Sequence, residues 1–265
     1  MRNVTSATLR LWVAALAGLA AFLVAVPTAA HASSCGGVAV VVHDIASGPA
    51  SMAAVGDVAR SAGWCVVTPS YGRNASPFGF LPGGMGGIDA SADQLAAVIK
   101  EQRRLHPGRP LHVVAHGVGS LAAMRAAQRF PTAVPDSLIA IGPLWDGTNI
   151  ALIGTLEQLS RDAGTYRLVL AIEAPLEDPV CRACREIIHG SDFLREFRAA
   201  GLAPRGLVVT NIVSRLDLLV QPVTSGVIEG ANNFIVQDQN PLSLANHWTL
   251  PTDRVVLRHI SRLLE

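Results

Sequence analysis

After Val26 the chain has no apolar run near the roughly 20 residues that a membrane-spanning helix needs. It also lacks a charge excess: 21 Lys and Arg stand against 20 Asp and Glu. No nucleic acid is therefore expected as a partner, because a backbone-binding protein carries a clear basic footprint. Internal repeats and low-complexity tracts are absent too, which sets repeat architectures aside. Cysteine is limited to four residues, Cys35, Cys65, Cys181 and Cys184.

What is there begins with an export signature. Arg2 and Arg10 precede an apolar stretch from Leu11 to Val26, and Ala30-His31-Ala32 offers a small-x-small cleavage site. Residues 1–32 read as a secretory signal peptide, which implies a secreted location, extracellular or in the cell envelope. An uncleaved anchor is the alternative, disfavoured by the shortness of the run. The remaining 33–265 fit one domain, long enough to bury a sizeable core. In an oxidising compartment an even cysteine count points to two disulfides. Three pairings exist in principle; the nearness of Cys181 to Cys184 favours that bridge together with Cys35–Cys65. The C-x-x-C spelling also admits a redox motif, but Asp178-Pro179 before it in an exported chain favours a local structural bridge.

The pattern then alternates between two periods. Val38 to Val42 is apolar at every position, as in a strand covered on both faces. A helical stretch from Met52 to Ala62 leads to a second strand at Gly63 to Thr68, so the pair should be parallel with a right-handed crossover. Tyr71 to Gly87 is a Gly-, Pro- and Phe-rich loop holding the sequon-like Asn74-Ala75-Ser76, which is followed by Pro77. Asp89, Ser91 or Asp93 is expected to cap the next helix, with Leu95, Val98, Ile99 and Leu105 at helical spacing. Further strands are expected at Leu111 to Ala115, Ser137 to Gly142, Leu207 to Ile212 and Asn232 to Val236. A closing helix follows from Asp253 to Leu264. Between Trp145 and Phe193 the alternation weakens. There the reading is a cap with helical pieces such as Leu152 to Arg161, a strand at Tyr166 to Ile172 and a hairpin at Cys181/Cys184.

The strand at Leu111 to Ala115 meets the turn His116 to Gly119 and then an alanine-rich helix. This is the strand, sharp turn, helix layout in which α/β-hydrolases hold a nucleophile in G-x-S-x-G. The motif reads Ala115-His116-Gly117-Val118-Gly119, so Gly117 stands at the place of the serine. Asp217 and His247 follow in the order acid then base, each shortly after a strand-like segment. The expected fold class is α/β: a mostly parallel sheet with helices on both faces and a loop-rich cap.

Over most of its mature length the chain resembles the secreted bacterial triacylglycerol lipases and esterases of the class 2 lipase family. The resemblance rests on the strand ending in His43, Gly63-Trp64-Cys65, Tyr71-Gly72, the turn His116 to Gly119, Gly147-Thr148 and Gly190-Ser191-Asp192-Phe193. It continues through Ser214-Arg215-Leu216-Asp217 with Val220 and Pro222, Val236-Gln237-Asp238 and His247. It implies hydrolysis of carboxylic esters by Asp217 as triad acid and His247 as triad base, a family-like Cys35–Cys65 bridge, and no cofactor or metal. The partner would be a lipid or ester small molecule, with transient contact at a lipid surface.

The departures lie where the chemistry would be. Gly117 has no side chain to act as nucleophile. In the oxyanion region, Asp44, Ile45 and Val118, the family's His-Gly reads His43-Asp44, and a carboxylate there raises the cost of developing negative charge. Ser120 is the nearest hydroxyl but falls in the first helical turn, pointing away. His116 is expected to pack and hydrogen-bond, and of the tryptophans only Trp248 adjoins the site. These residues imply a hydrolase with impaired catalysis, or a protein that keeps the old acyl pocket to bind a lipid or cell-envelope ligand.

Overall fold

The computed structural model describes residues 35–73 and 82–265, of which Cys35–Glu265 belong to one compact unit. The expected signal segment and the sequon at Asn74 lie outside the described residues. Six strands form one sheet: β1 (Val38–Val42), β2 (Cys65–Val67), β3 (Leu111–His116), β4 (Ser137–Ile141), β5 (Val208–Val213) and β6 (Asn232–Ile235). Their order is 2-1-3-4-5-6, and each pairing is parallel. Parallel neighbours need crossovers; between β5 and β6 the connection holds only the short turn Val223–Gly226, elsewhere it is built of α-helices, and further helices follow β6. The α-helices are α1 (Ala53–Ser61), α2 (Ile88–Leu105), α3 (Val118–Arg129), α4 (Ile153–Asp162), α5 (Tyr166–Glu186), α6 (Asp192–Ala199), α7 (Val236–Gln239) and α8 (Arg254–Leu264).

Two cores explain why β1 is apolar at every position. Val38, Val40 and Val42 of β1 pack with Leu95 and Ile99 of α2 and Leu121 and Met124 of α3. Ala39 and Val41 of the same strand turn to the other face, against Val55 of α1 and Val256 and Ile260 of α8. A strand covered on both sides cannot alternate with polar residues, and each fully buried Val, Leu or Ile is worth roughly 1.5–3 kcal/mol of transfer free energy. The expected mostly parallel sheet with helices on both faces is therefore present. Both bridges, Cys35–Cys65 and Cys181–Cys184, are formed.

Three expectations need correction. Tyr166 to Ile172 is not a strand but the start of α5, because its apolar residues continue at helical spacing through Leu168, Ile172 and Leu176. Cys181 and Cys184 form no hairpin; α5 kinks at Cys181 (φ −148°, ψ 78°), where its long first piece meets a short second helical piece that carries Cys184. None of Asp89, Ser91 and Asp93 caps α2. Its N-cap is Gly87, and the Ile88 amide donates to Glu186 Oε2 at 2.6 Å, while Asp89 receives Arg125 Nε at 2.7 Å. A carboxylate from a distant helix thus does the work that local sequence assigned to a neighbour.

Candidate active site

The site lies where α/β sheets place their ligands, at the carboxyl ends of central strands. β1 leads into His43-Asp44, β3 ends at His116 just before Gly117, and β5 leads into the turn that carries Asp217. Gly117 links β3 to α3 with φ 49° and ψ −121°, a backbone conformation that side chains strain against. Gly119 is the second residue of α3 and lies against the end of β1. A Cβ there would stand 2.9 Å from Val42 Cγ1 and closer still to the His43 carbonyl. The helix can approach β1 this closely only with glycine at that position.

Asp44, His247 and Asp217 form one hydrogen-bonded line. His247 Nδ1 is 2.8 Å from Asp217 Oδ2, and His247 Nε2 is 3.0 Å from Asp44 Oδ2. The remaining oxygens are also satisfied. Asp217 Oδ1 accepts from the amides of Leu219 and Val220, each at 2.8 Å, and Asp44 Oδ1 accepts from the Val118 amide at 2.7 Å. All three side chains are buried. Burial alone would hold His247 neutral, but its bonds to Asp217 and Asp44 overcome that and raise its pKa to about 9. At neutral pH it is an imidazolium between two carboxylates. Burial pushes Asp44 upward, yet the imidazoles of His116 and His247 and the Val118 amide bring it below its ordinary range.

The carboxylate of Asp44 occupies the space that a side chain at position 117 would enter. A Cβ on Gly117 would be 2.7 Å from Asp44 Oδ2 and closer still to Cγ and Oδ1. One of its oxygens sits on the backbone donor that follows the turn, and the other faces the histidine.

The surrounding residues hold this line rather than extend it. His116 stacks on His247 with ring centroids 4.7 Å apart, and its Nε2 donates to the His247 carbonyl at 3.0 Å. Burial outweighs the nearby carboxylates and lowers its pKa to about 4, so it is neutral. Ser120 is fully buried and its hydroxyl donates to the Ala115 carbonyl at 3.0 Å, away from His247. Ile45 packs, partly buried, against the core. Trp248 stands edge-on to His247 but is 62% exposed. Tyr71 stacks on His43 and donates its hydroxyl to the His43 carbonyl at 2.8 Å, fixing the backbone just before Asp44.

One contributor was not singled out as a site residue from the sequence. Gln237 donates to Ser214 Oγ at 2.9 Å and to the Ser243 carbonyl at 3.2 Å, and accepts from the Arg215 amide at 2.9 Å. It thereby ties the Asp217 turn to the segment carrying His247. Its place in the Val236-Gln237-Asp238 motif was the available signal. Asp44 was expected on the oxyanion side, but its bond to His247 spans 203 residues of sequence and leaves no local trace.

Asp44, His116 and His247 each offer a ligand atom within 4.8 Å of the others, the geometry of a candidate metal cluster. The histidine rings, however, are only 29° from parallel. Their lone pairs do not meet at one point, as metal–nitrogen bonds of about 2.0–2.1 Å require. The donor set does not fit an ion as arranged.

No protein-family model and no curated protein matches the chain in sequence. Solved structures do match in shape. Aspergillus fumigatus lipase B superposes with a TM-score of 0.62 at 16% identity, over 85% of this chain and 52% of that one. This chain thus spans about half the length of that lipase. Cfl2 of Burkholderia cenocepacia gives 0.54 at 12% identity, covering 86% of this chain and 88% of the other. A highly thermostable carboxyl esterase from Bacillus coagulans gives 0.52 at 15% identity, covering 86% and 89%. The chain has the α/β-hydrolase fold. Among the described residues no helix is long and apolar enough to cross a membrane.

Proposed function

We propose that this chain is a secreted, lipase- or esterase-like α/β-hydrolase of class 2 lipase descent in which serine-type acyl transfer is shut off. Asp217 and His247 are the remnant acid and base, Gly117 marks the lost nucleophile, and Val118 supplies an oxyanion amide now filled by the protein's own carboxylate. The observation that carries this reading is the overlap between Asp44 and any side chain at position 117. The Asp44 carboxylate resembles a bound acid product, with one oxygen on the oxyanion amide and one on the histidine. An ester carbonyl would have to displace a buried ion pair to take that place, and the imidazolium has no lone pair with which to act as base.

The test is hydrolysis of short and long p-nitrophenyl esters by the unaltered protein, Gly117→Ser, Asp44→Gly and the double variant. The unaltered protein and each single variant are expected near background, and the double variant to turn over with a fluorophosphonate-reactive serine. A folded double variant without activity would overturn the remnant-site reading.

A second reading, a protein that binds a lipid or cell-envelope ligand without turning it over, is favoured by a cavity of about 450 Å³ between α4 and α5. It lies in the cap and not at the Asp44–His247–Asp217 line.

A further inference from the structure

The cap contains a space that nothing in the site chemistry uses. α4 and α5 face each other across the cavity with Leu156 on one side and Val169 and Leu170 on the other, and Ile188 closes it. Its volume falls within the roughly 300–1,000 Å³ of ordinary small-molecule pockets, and its walls are mostly apolar. α5 is apolar on its outer face as well, where Leu168, Ile172 and Leu176 are exposed. A helix this apolar gains little from water on either side.

Charge then selects the kind of guest. Four ionic side chains line the cavity: Glu157, Glu173, Glu177 and Arg185. Two are already neutralised, since Glu157 pairs with Arg161 at 2.7 Å and Arg185 grips Asp178 with bonds of 2.8, 3.0 and 3.1 Å. Glu173 and Glu177 have no ion-pair or hydrogen-bond partner among the described residues. They lie four residues apart on α5, one above the other on a single helix face. One face of the Tyr166 ring, also in the lining, is covered by the Arg161 guanidinium, whose central carbon lies 3.3 Å from its centroid. Of the ionic side chains in the lining, the two carboxylates are the ones left to meet charge.

We propose that the cavity between α4 and α5 is a binding site for a single-chain cationic amphiphile, its alkyl chain between the two helices and its ammonium group against Glu173 and Glu177. This inference rests on the binding reading above and is independent of whether ester hydrolysis can be restored. An anionic chain such as a fatty acid would bring its head towards two unpaired carboxylates, and a neutral one would gain nothing from them. The occupant is a free monomer, because the space between the helices holds one chain and not a bilayer edge.

The experiment is isothermal titration of the purified protein with dodecyltrimethylammonium, dodecyl sulfate and dodecyl maltoside, each below its micelle concentration. Saturable one-to-one binding of the cation, at least about tenfold tighter than of the sulfate, is expected. Glu173→Gln with Glu177→Gln, both surface changes, should weaken the cation about tenfold and leave the maltoside unchanged. Val169→Trp, which fills the cavity outside the core, should abolish binding. Equal affinity for the three headgroups would overturn the inference while leaving a non-selective lipid-binding protein standing. Binding that survives Val169→Trp, or that appears only with vesicles carrying a cationic lipid, would overturn it as well.

Discussion

Asp44 and Gly117 compete for one volume: the carboxylate of the first fills the space a side chain on the second would need. Gly117→Ser alone therefore meets both a steric overlap and a positive φ, and should cost about 2–4 kcal/mol. In an Asp44→Gly background the overlap is gone and only the backbone strain remains. The two changes should show a coupling energy on the order of 1–3 kcal/mol, favourable to the pair. Urea denaturation of the four proteins measures it, and strict additivity would show that Asp44 can swing aside freely.

The proton on His247 depends on the same carboxylate. Replacing Asp44 with Asn keeps the shape and the Val118 contact but removes one of the two charges that hold the imidazolium. The His247 pKa, about 9 in the intact site, should fall by about 1–3 units. An NMR titration of the imidazole resonances reads this directly. A value unmoved by Asp44→Asn would mean that Asp217 alone sets the protonation state.

These shifts also fix how stability follows pH. His247 has a folded pKa raised from 6.5 to about 9, so its contribution is complete below pH 6.5 and is lost as pH rises towards 9. His116 has a folded pKa lowered to about 4, so its contribution is present above pH 6.5 and is lost as pH falls towards 4. The lowered Asp44 adds a further loss on the acid side. The melting temperature should therefore peak near pH 6.5 and decline in both directions. The alkaline limb, on the order of 3 kcal/mol in the intact protein, should flatten in Asp44→Asn.

Much of the frame was legible because burial on both faces writes itself into composition. Val38–Val42, and Ser137–Ile141 after its first residue, could be read as strands because their residues are apolar. Gly117 stood out because a motif position was empty. The cap was misread for the opposite reason. Tyr166–Glu186 is exposed along much of its length, so its helically spaced apolar residues mark no buried stripe, and its β-branched residues imitate a strand. The oxyanion-side aspartate was seen as an electrostatic obstacle, but its bond to His247 joins residues 203 apart. No local pattern encodes such a contact. The same holds for Gln237, which is one polar residue in a short helix until the two segments it bridges are seen together.

Glu186 shows how a single long-range carboxylate sets the position of the cap. It is buried near the end of α5, and its two oxygens serve different partners: Oε2 accepts the Ile88 amide at 2.6 Å and Oε1 accepts Arg182 Nε at 2.7 Å. Ile88 opens α2, so the carboxylate both fills an orphan amide and meets the positive end of a helix. Arg182 is more than half exposed, and its ion pair is worth little in water. Glu186→Ala should therefore destabilise the protein by about 2–3 kcal/mol, the cost of stranding a buried amide bonded to a charged acceptor. Glu186→Gln keeps an oxygen for Ile88 and gives up mainly the exposed pair, so it should cost about 1 kcal/mol or less. Chemical denaturation gives both values, and limited proteolysis within α5 should accelerate in the alanine variant alone. If glutamine and alanine cost the same, the ion pair with Arg182 and not the amide of Ile88 is what anchors the cap.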